Sequence, residues 1–347
     1  MHVISRRNAH DMLPEVLYQL DRVGVPQDTR NGPALVFPGP VCLEYWNPQE
    51  RVLFWDKRDA NPFFHFFEAL WMLGGKNDVA FVEQFSSNIA NYSDDGVTFH
   101  GAYGYRWRRW FGYDQVDMII KLLKENPEDR RVVLQMWDAN TDLGATGKDF
   151  PCNLMITFPF CPATKRLDMV VYNRSNDIVW GAVGANVVHM SMLHEYICSC
   201  VGLPIGRYSQ ISSNMHGYVK TITPVRELAE FASDPMTGSI QSPYQVGMVQ
   251  PFPMFDEGKT KDMWDQDLEI FLQKGPIIGF RHKFFRRVVT PLWYAYSAYK
   301  NGDGELALES LEQCVATDWT KACKEWILRR AANARRKRAQ DDGVTYE

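Results

Sequence analysis

LDMVVYNRSNDIVWGAVGANVVHMSMLHEYICSCVGL, residues 167–203, sets a strand, a polar turn and a long helix in one run. Residues 167–172 read as a buried strand, and RSND at 174–177 as the polar stretch that closes it. The pattern then becomes helical. Val187, Met190, Leu193 or His194, and Ile197 return with a helical period, Asn186 stands where an N-cap belongs, and Gly202 stands where the helix ends. Strand and helix side by side place the chain in the α+β class.

Working outward, GKDFPCNLMITF (147–158) holds Cys152 behind a proline at the mouth of a second strand, 154–158, and NPEDRRVVLQMWD (126–138) enters a third, 132–137, past Arg130 and Arg131. NPFFHFFEALWMLGG (61–75) reads as a helix with Asn61 as N-cap, Pro62 at its first position and Gly74 just past its end. Phe63, Phe66, Phe67, Leu70 and Leu73 share its broad apolar side. Glu68 lies beside that side, where a carboxylate is costly unless it is paired, working, or on the solvated edge. SSNMHGYVK (212–220) is a strand end carrying His216 and Tyr218. Beyond about residue 260 the sequence is helical and charged, and RRAANARRKRAQDDGVTYE (329–347) reads as a solvated helix face with a frayed tail. Without an internal repeat or long linker, we expect a catalytic-type unit over 1–260 and a helical extension, 261–347, packed on it.

Composition excludes more than it identifies. No apolar run reaches the length of a membrane span, and MHVISRRNAHDML lacks the apolar core of a signal peptide, so a cytoplasmic protein is expected. Seven cysteines, an odd number, argue for reduced thiols rather than a disulfide framework. Cys198 and Cys200, two apart on a helix, point in different directions, which favours packing over a metal site. A net charge of -4 gives no reason to expect a nucleic-acid partner. Eleven tryptophans suit a heterocycle-binding wall, but also a large core or an interface.

The polar residues, in order, are Arg30, Glu68, Arg130, Arg131, Cys152, RSND, Asn186, His216 and Tyr218. Several arginines without an acidic match nearby point to an anion, and a phosphate monoester fits planar guanidinium groups well. A cysteine beside such charge would have a lowered pKa and be partly thiolate at neutral pH.

Cys152 after a proline, followed by VVYNRSNDIVWG, NVVHMSML and MHGY, resembles thymidylate synthase and its relatives, the pyrimidine-nucleotide hydroxymethylases. The resemblance runs from about Arg30 to about Tyr218, and its specificity lies in the ordered set rather than in any single motif. It implies a mixed sheet with packed helices and a pyrimidine nucleotide monophosphate as substrate. It also implies 5,10-methylenetetrahydrofolate as one-carbon donor and no metal. By the same resemblance, Cys152 is the thiolate that adds to the 6-position of the base, Glu68 works with water in proton transfers, and Tyr103 belongs to a YG segment near the cysteine. Arg30, Arg174 and Ser175 match phosphate ligands. Arg130 and Arg131 match a pair that the partner subunit inserts, which implies a homodimer. Asp177 matches a folate-contacting aspartate, Asn186 the base-reading residue, and His216 with Tyr218 the pair that binds the sugar hydroxyl.

Three departures bear on the reaction. Residues 85–101, FSSNIANYSDDGVTFHG, lack the tryptophans usual there; PCN replaces the usual PCH; and the spacing from Gly181 to Asn186 is one residue long, so Ala185 competes with Asn186 for the base. Losing an aromatic wall makes room for water, and water rather than hydride then completes the one-carbon transfer; RSND followed by VW and Gly, with no histidine after the cysteine, looks closer to the phage-type hydroxymethylases. We therefore expect 5-hydroxymethylation, with reductive methylation as the alternative, although Tyr92 or the C-terminal third could rebuild the wall. An asparagine amide suits uracil, whereas a protonated aspartate suits cytosine, so Asn186 favours deoxyuridylate over deoxycytidylate. Rival readings are a cysteine hydrolase using His189, His194 or His216, and a catalytically silent nucleotide binder.

Overall fold

The structure is a computed structural model describing residues 1–232 and 241–341. It divides into one unit of Met1–Arg58 with Phe64–Ser242, and another of Asp59–Phe63 with Pro243–Glu347.

The first unit is built on two sheets. The larger runs, edge to edge, His2–Arg6, Val41–Tyr45, Ile205–Ser212, Arg166–Asn173, Asn153–Thr157 and Val133–Gln135, with Phe160–Cys161 pairing on Arg166–Asn173. The smaller orders Val25–Thr29, Gly32–Val36, Met215–Tyr218 and Asn176–Asp177. Parallel and antiparallel pairs mix in both, as the α+β reading requires.

Alternation along the central strands decides what the core touches. Leu167, Met169 and Val171 are buried in turn, and the same face then ends on Asn173. On the neighbouring parallel strand Tyr208, Gln210 and Ser212 are buried, with Ser212 opposite Asn173. Asn153 pairs with Asn173 from the other side. One end of an otherwise apolar face is thus a row of buried polar side chains, and Cys152 stands immediately before it. Observed strand limits match the expected ones to within two residues. The 132–137 strand shortens to Val133–Gln135 because the amides of Met136 and Trp137 both donate to Leu154 O, which bends the ladder there.

Helix Asn186–Val201 is buried on nearly every side and packs on strands Arg166–Asn173 and Ile205–Ser212. His194 Nε2 lies 2.7 Å from Leu167 O, and Arg51 forms a buried ion pair with Glu195. Gly202 ends the helix at φ +85°, as its position predicts. The expected N-cap role of Asn186 is not observed. A π-helical segment, Ile178–Ala185, runs directly into the helix and breaks at Val183 and Gly184, so Asn186 is already helical and buried. The extra residue counted between Gly181 and Asn186 falls in this widened turn.

Helix Pro62–Leu73 begins at the expected proline, and Phe63, Phe66, Phe67, Leu70 and Leu73 are all buried. Its left-handed residue is Gly75 (φ +64°) rather than Gly74. Lys76 N donates to Trp71 O and Gly75 N to Met72 O, the Schellman pair. Tyr103–Tyr105 forms a short turn against this helix end. A Cβ on Gly104 would lie 2.0 Å from Met72 O, so only glycine permits that approach.

The second unit is helical, with Lys261–Lys274, Thr290–Lys300, Gly304–Glu312 and Thr317–Asp341 as its long elements. Trp264 is fully buried, stacks on Phe255 at 5.5 Å and donates its indole N–H to Met254 O. Phe63 packs on Tyr296 and Trp326, and Asp59 pairs with Arg329 and Arg330. The terminal basic run is therefore anchored at its first two arginines and exposed over 331–336; its last residues, 342–347, lie outside the described ones.

Candidate active site

Arg174 is the residue that builds the surroundings of Cys152. Its Nε donates to Pro151 O (3.0 Å), its Nη2 donates to Phe150 O (3.3 Å) and stands 3.9 Å from Cys152 Sγ, and its backbone N–H donates to Cys152 O (3.0 Å). The guanidinium lies over Trp137, 5.6 Å from the ring centre. Tyr103 meets the backbone of Cys152 and Asn153, and burial pushes its phenol pKa up. Two carboxylates tie the preceding loop to residues 85–101: Asp94 accepts from Lys148 N (2.9 Å), and Asp149 accepts from Gly101 N (2.9 Å).

The expected lowering of the thiol pKa does not hold in the free protein. Burial raises it and outweighs the downward pull of Arg174, Asp149 adds to the rise, and Arg30 contributes a smaller pull downward. Asn153, at the position where histidine is usual, is buried; its Nδ2 and Asn173 Oδ1 have no hydrogen-bond partner among the described residues.

A second group gathers on the small sheet. Asp177 pairs in register with His216 and accepts from Trp180 N (2.6 Å). Burial raises its carboxyl pKa against the pull of the Trp180 amide, His216 and the Tyr218 amide, and its Oδ2 makes no well-aligned hydrogen bond among the described residues. Trp180 itself is 49% exposed. His216 Nδ1 lies 3.0 Å from Asn214 Oδ1, and its ring meets Tyr218 edge-on at 4.9 Å. Asn31 donates to the Tyr218 hydroxyl (3.1 Å), which sets the exposed hairpin turn carrying Arg30 beside this group.

A third group sets the expected Glu68 among neighbours that the sequence does not point to: His189, His65 and Arg58. Glu68 Oε2 lies 2.9 Å from His189 Nε2, yet out of line for a hydrogen bond, and both atoms are buried. His65 sits beside His189; burial drives its pKa well below the ordinary value, and Arg58 and His189 add to the fall. Arg58 donates from Nε to Val179 O (3.0 Å), where the π-helical segment begins, and its charge also reaches Asp177. Asn186 donates from Nδ2 to Asn176 Oδ1 (3.1 Å), and Ser175 is half-buried between Arg174 and Asn176.

Arg130 and Arg131 are not drawn into these groups. They are exposed on the turn before Val133–Gln135, and Arg131 is forked onto Asp129, so the idea that the arginines lack an acidic match fails at this position. Of the aromatic residues at 85–101, Phe85 and Phe99 are core residues, whereas Tyr92 is half exposed on a short 3₁₀ turn. The hydrolase alternative needs an imidazole at Cys152. His189 instead stands against Glu68, His194 against Leu167 O and His216 against Asn214.

Residues 58–239 match the family profile described as Thymidylate synthase. The chain is 51% identical over 354 residues to the deoxyuridylate hydroxymethyltransferase of Pseudomonas phage M6, a match spanning all of both chains. It is 37% identical over 191 residues to the deoxyuridylate hydroxymethyltransferase of Bacillus phage SP01, covering 52% of this chain and 49% of that protein. Among solved structures it resembles the thymidylate synthase of T4 phage, with a TM-score of 0.50 and 20% identity over 62% of this chain and 79% of that one.

Proposed function

The chain belongs to the thymidylate synthase family, and from that premise we propose that it is a one-carbon transferase that hydroxymethylates the 5-position of deoxyuridylate. The observation that carries this reading is the end-to-end similarity to a deoxyuridylate hydroxymethyltransferase. The thiol of Cys152 held 3.9 Å from the Arg174 guanidinium supplies a matching nucleophile.

In this reading Cys152 works as a nucleophile switched on by substrate. Burial keeps the thiol protonated in the free protein. A phosphate drawing on Arg174, Ser175 and Arg30 brings the pyrimidine over it, where loss of the proton is coupled to formation of the Sγ–C6 bond. The base then carries nucleophilic character at C5, and elimination of the same thiolate later restores the ring. Glu68, with His189 against it, accepts and returns protons at the base. Asn186 reads the base edge, and His216 with Tyr218 takes the sugar hydroxyl.

Asp177 and Trp180 fit a folate, because a buried carboxylate oxygen with no well-aligned hydrogen bond can accept from a pterin N–H and an exposed indole can cover its ring. Methylenetetrahydrofolate would supply carbon at the formaldehyde level of oxidation. Exposure of Arg130 and Arg131 favours their donation to a second copy in a homodimer. Among the described residues no helix is long and apolar enough to cross a membrane.

The test is the mass of the nucleotide product after incubation with deoxyuridylate and methylenetetrahydrofolate, read together with dihydrofolate absorbance. A hydroxymethyl-sized gain without dihydrofolate is expected. A methyl-sized gain with stoichiometric dihydrofolate would replace this reading with reductive methylation.

A further inference from the structure

Six buried groups near the π-helical segment form a hydrogen-bond relay whose direction is fixed at one end. Ala182 O is a backbone carbonyl and can only accept. It takes hydrogen bonds from Gln210 Nε2 (2.6 Å) and from the Tyr45 hydroxyl (3.0 Å). Gln210 must therefore turn its Nε2 toward Ala182, because the reverse rotamer would set two carbonyl oxygens at that distance. Its Oε1 is left to accept, and it does so from Asn176 Nδ2 (2.9 Å), which also lies 3.3 Å from Ser212 Oγ. Asn176 is thereby fixed with Oδ1 outward, and that atom accepts from Asn186 Nδ2 (3.1 Å). Tyr45, Asn176, Gln210 and Ser212 are each at most 3% exposed, so water does not compete for these bonds. Gly181 keeps the junction tight: a Cβ there would lie 2.6 Å from Asn176 Oδ1 and 3.2 Å from Asn186 Nδ2.

We infer that Asn176 is a specificity-determining positioning residue, which locks the Asn186 amide in the one orientation that reads uracil and refuses cytosine. The inference rests on the proposal that Asn186 faces the base. With one Nδ2 hydrogen committed to Asn176, Asn186 offers the base a second N–H and a free Oδ1. Uracil accepts at O4 and donates at N3, which matches that pair. Cytosine donates at N4 and accepts at N3, and would need the amide turned over. Turning it would set Asn186 Oδ1 against Asn176 Oδ1, and the relay back to Ala182 keeps Asn176 from yielding. The selectivity of an amide that could otherwise face either way is thus set from a backbone carbonyl three side chains away.

The test compares dissociation constants of deoxyuridylate and deoxycytidylate by calorimetry, without folate, for the full chain and three variants. Binding is read rather than turnover, so the outcome does not depend on whether the product is hydroxymethyl or methyl. The unaltered protein is expected to prefer deoxyuridylate. Asn176→Ala frees the Asn186 amide to rotate, and the preference is expected to fall about tenfold or more, with deoxycytidylate gaining as deoxyuridylate loses. Asn176→Asp is expected to hold the preference within about threefold: a buried carboxyl stays protonated, donates to Gln210 Oε1 and still accepts from Asn186. An unchanged preference in Asn176→Ala overturns the inference, and so does its loss in Asn176→Asp, which decides the matter even where the alanine variant does not fold. Asn186→Asp is the control for the underlying proposal. If it leaves the preference unaltered, or if the unaltered protein binds both nucleotides alike, Asn186 does not read the base and the inference falls with it.

Discussion

The two units of the chain bury polar groups for different purposes. In the helical unit the buried acids serve the backbone: Asp267 accepts from the amides of Arg281 and His282, and Asp318 accepts from Trp319 N and the Tyr244 hydroxyl. Around them lies an aromatic core of Trp264, Phe271 and Phe285. In the sheet unit, Glu68 Oε2, Asn153 Nδ2, Asn173 Oδ1, Asp177 Oδ2 and both His189 ring nitrogens are buried without well-aligned hydrogen bonds among the described residues; in the helical unit both His282 ring nitrogens, Thr290 Oγ1 and Trp326 Nε1 are in the same state. A buried unpaired polar atom costs about 1–3 kcal/mol, and those on residues proposed to meet substrate or folate are the ones a bound molecule would complete. The difference lies in company rather than in number: the unpaired atoms of the sheet unit stand on the elements that carry Glu68, Cys152 and RSND, where substitution should touch turnover, whereas Asp267 and Asp318 hold the helical fold. Substitutions on the two sides should separate accordingly.

The largest effect is expected at Cys152. Cys152→Ala should lower turnover by roughly 10⁴-fold or more, since no other group can form the bond to C6, while urea unfolding of the sheet unit changes by less than about 1 kcal/mol. Retained turnover would dismiss the covalent reading. The counterpart in the helical unit is Trp264→Ala, which removes a fully buried indole and its bond to Met254 O. It should cost about 3–5 kcal/mol of that unit's stability in denaturant unfolding. A loss below about 1 kcal/mol would break the contrast from its other side.

Between these lies His189, buried against Glu68. His189→Leu removes two ring nitrogens that make no hydrogen bond but also takes away the imidazole 2.9 Å from the buried Glu68 oxygen, so the two effects oppose and stability should change by less than about 1 kcal/mol. Turnover should fall about 10- to 100-fold at an unchanged KM for nucleotide, because Glu68 loses the neighbour that orients it. A drop in stability with turnover intact would make His189 an ordinary core residue.

How legible these places were depended on whether their signal was local. Cys152 with its proline, the RSND turn, and the helix from Pro62 to its glycine end could be read because each lies within a dozen residues and follows backbone rules. The relay through Tyr45, Asn176, Ala182 and Gln210 has no local signature, since three segments far apart in sequence supply it and each polar residue alone reads as an exposed or capping side chain. His189 and His65 stood within apolar helices, where a lone histidine carries no pattern of its own. The extra residue before Asn186 was visible as a count, yet whether it would form a loop or a widened helical turn depended on packing against Asn176 and Arg58. The thiol pKa departs from the expected direction for a related reason: charge can be counted in a sequence, whereas the depth of burial that opposes it cannot.

The smallest effect tests whether polar burial in the sheet unit is costly away from the cysteine as well. Asp11, in the first turn of helix Ala9–Val23, has its carboxyl pKa raised to about 6, chiefly by burial and then by the charge of Glu50, with Arg7 and Arg6 opposing. An acid whose pKa is higher folded than unfolded binds more protons in the native state between the two values, so stability falls as pH rises from about 4 to about 6 and stays reduced above that. Asp11→Asn removes this slope. Its thermal midpoint should match or lie slightly below that of the unaltered protein at pH 4, since the first turn loses nothing but a neutral carboxyl, and should overtake it by pH 7. The gain is about 1 kcal/mol after allowing for solvent screening at a carboxyl that remains partly exposed. A difference between the two proteins that does not vary with pH would mean that Asp11 ionises freely, and that the cost of buried polar groups in this unit is confined to the surroundings of Cys152.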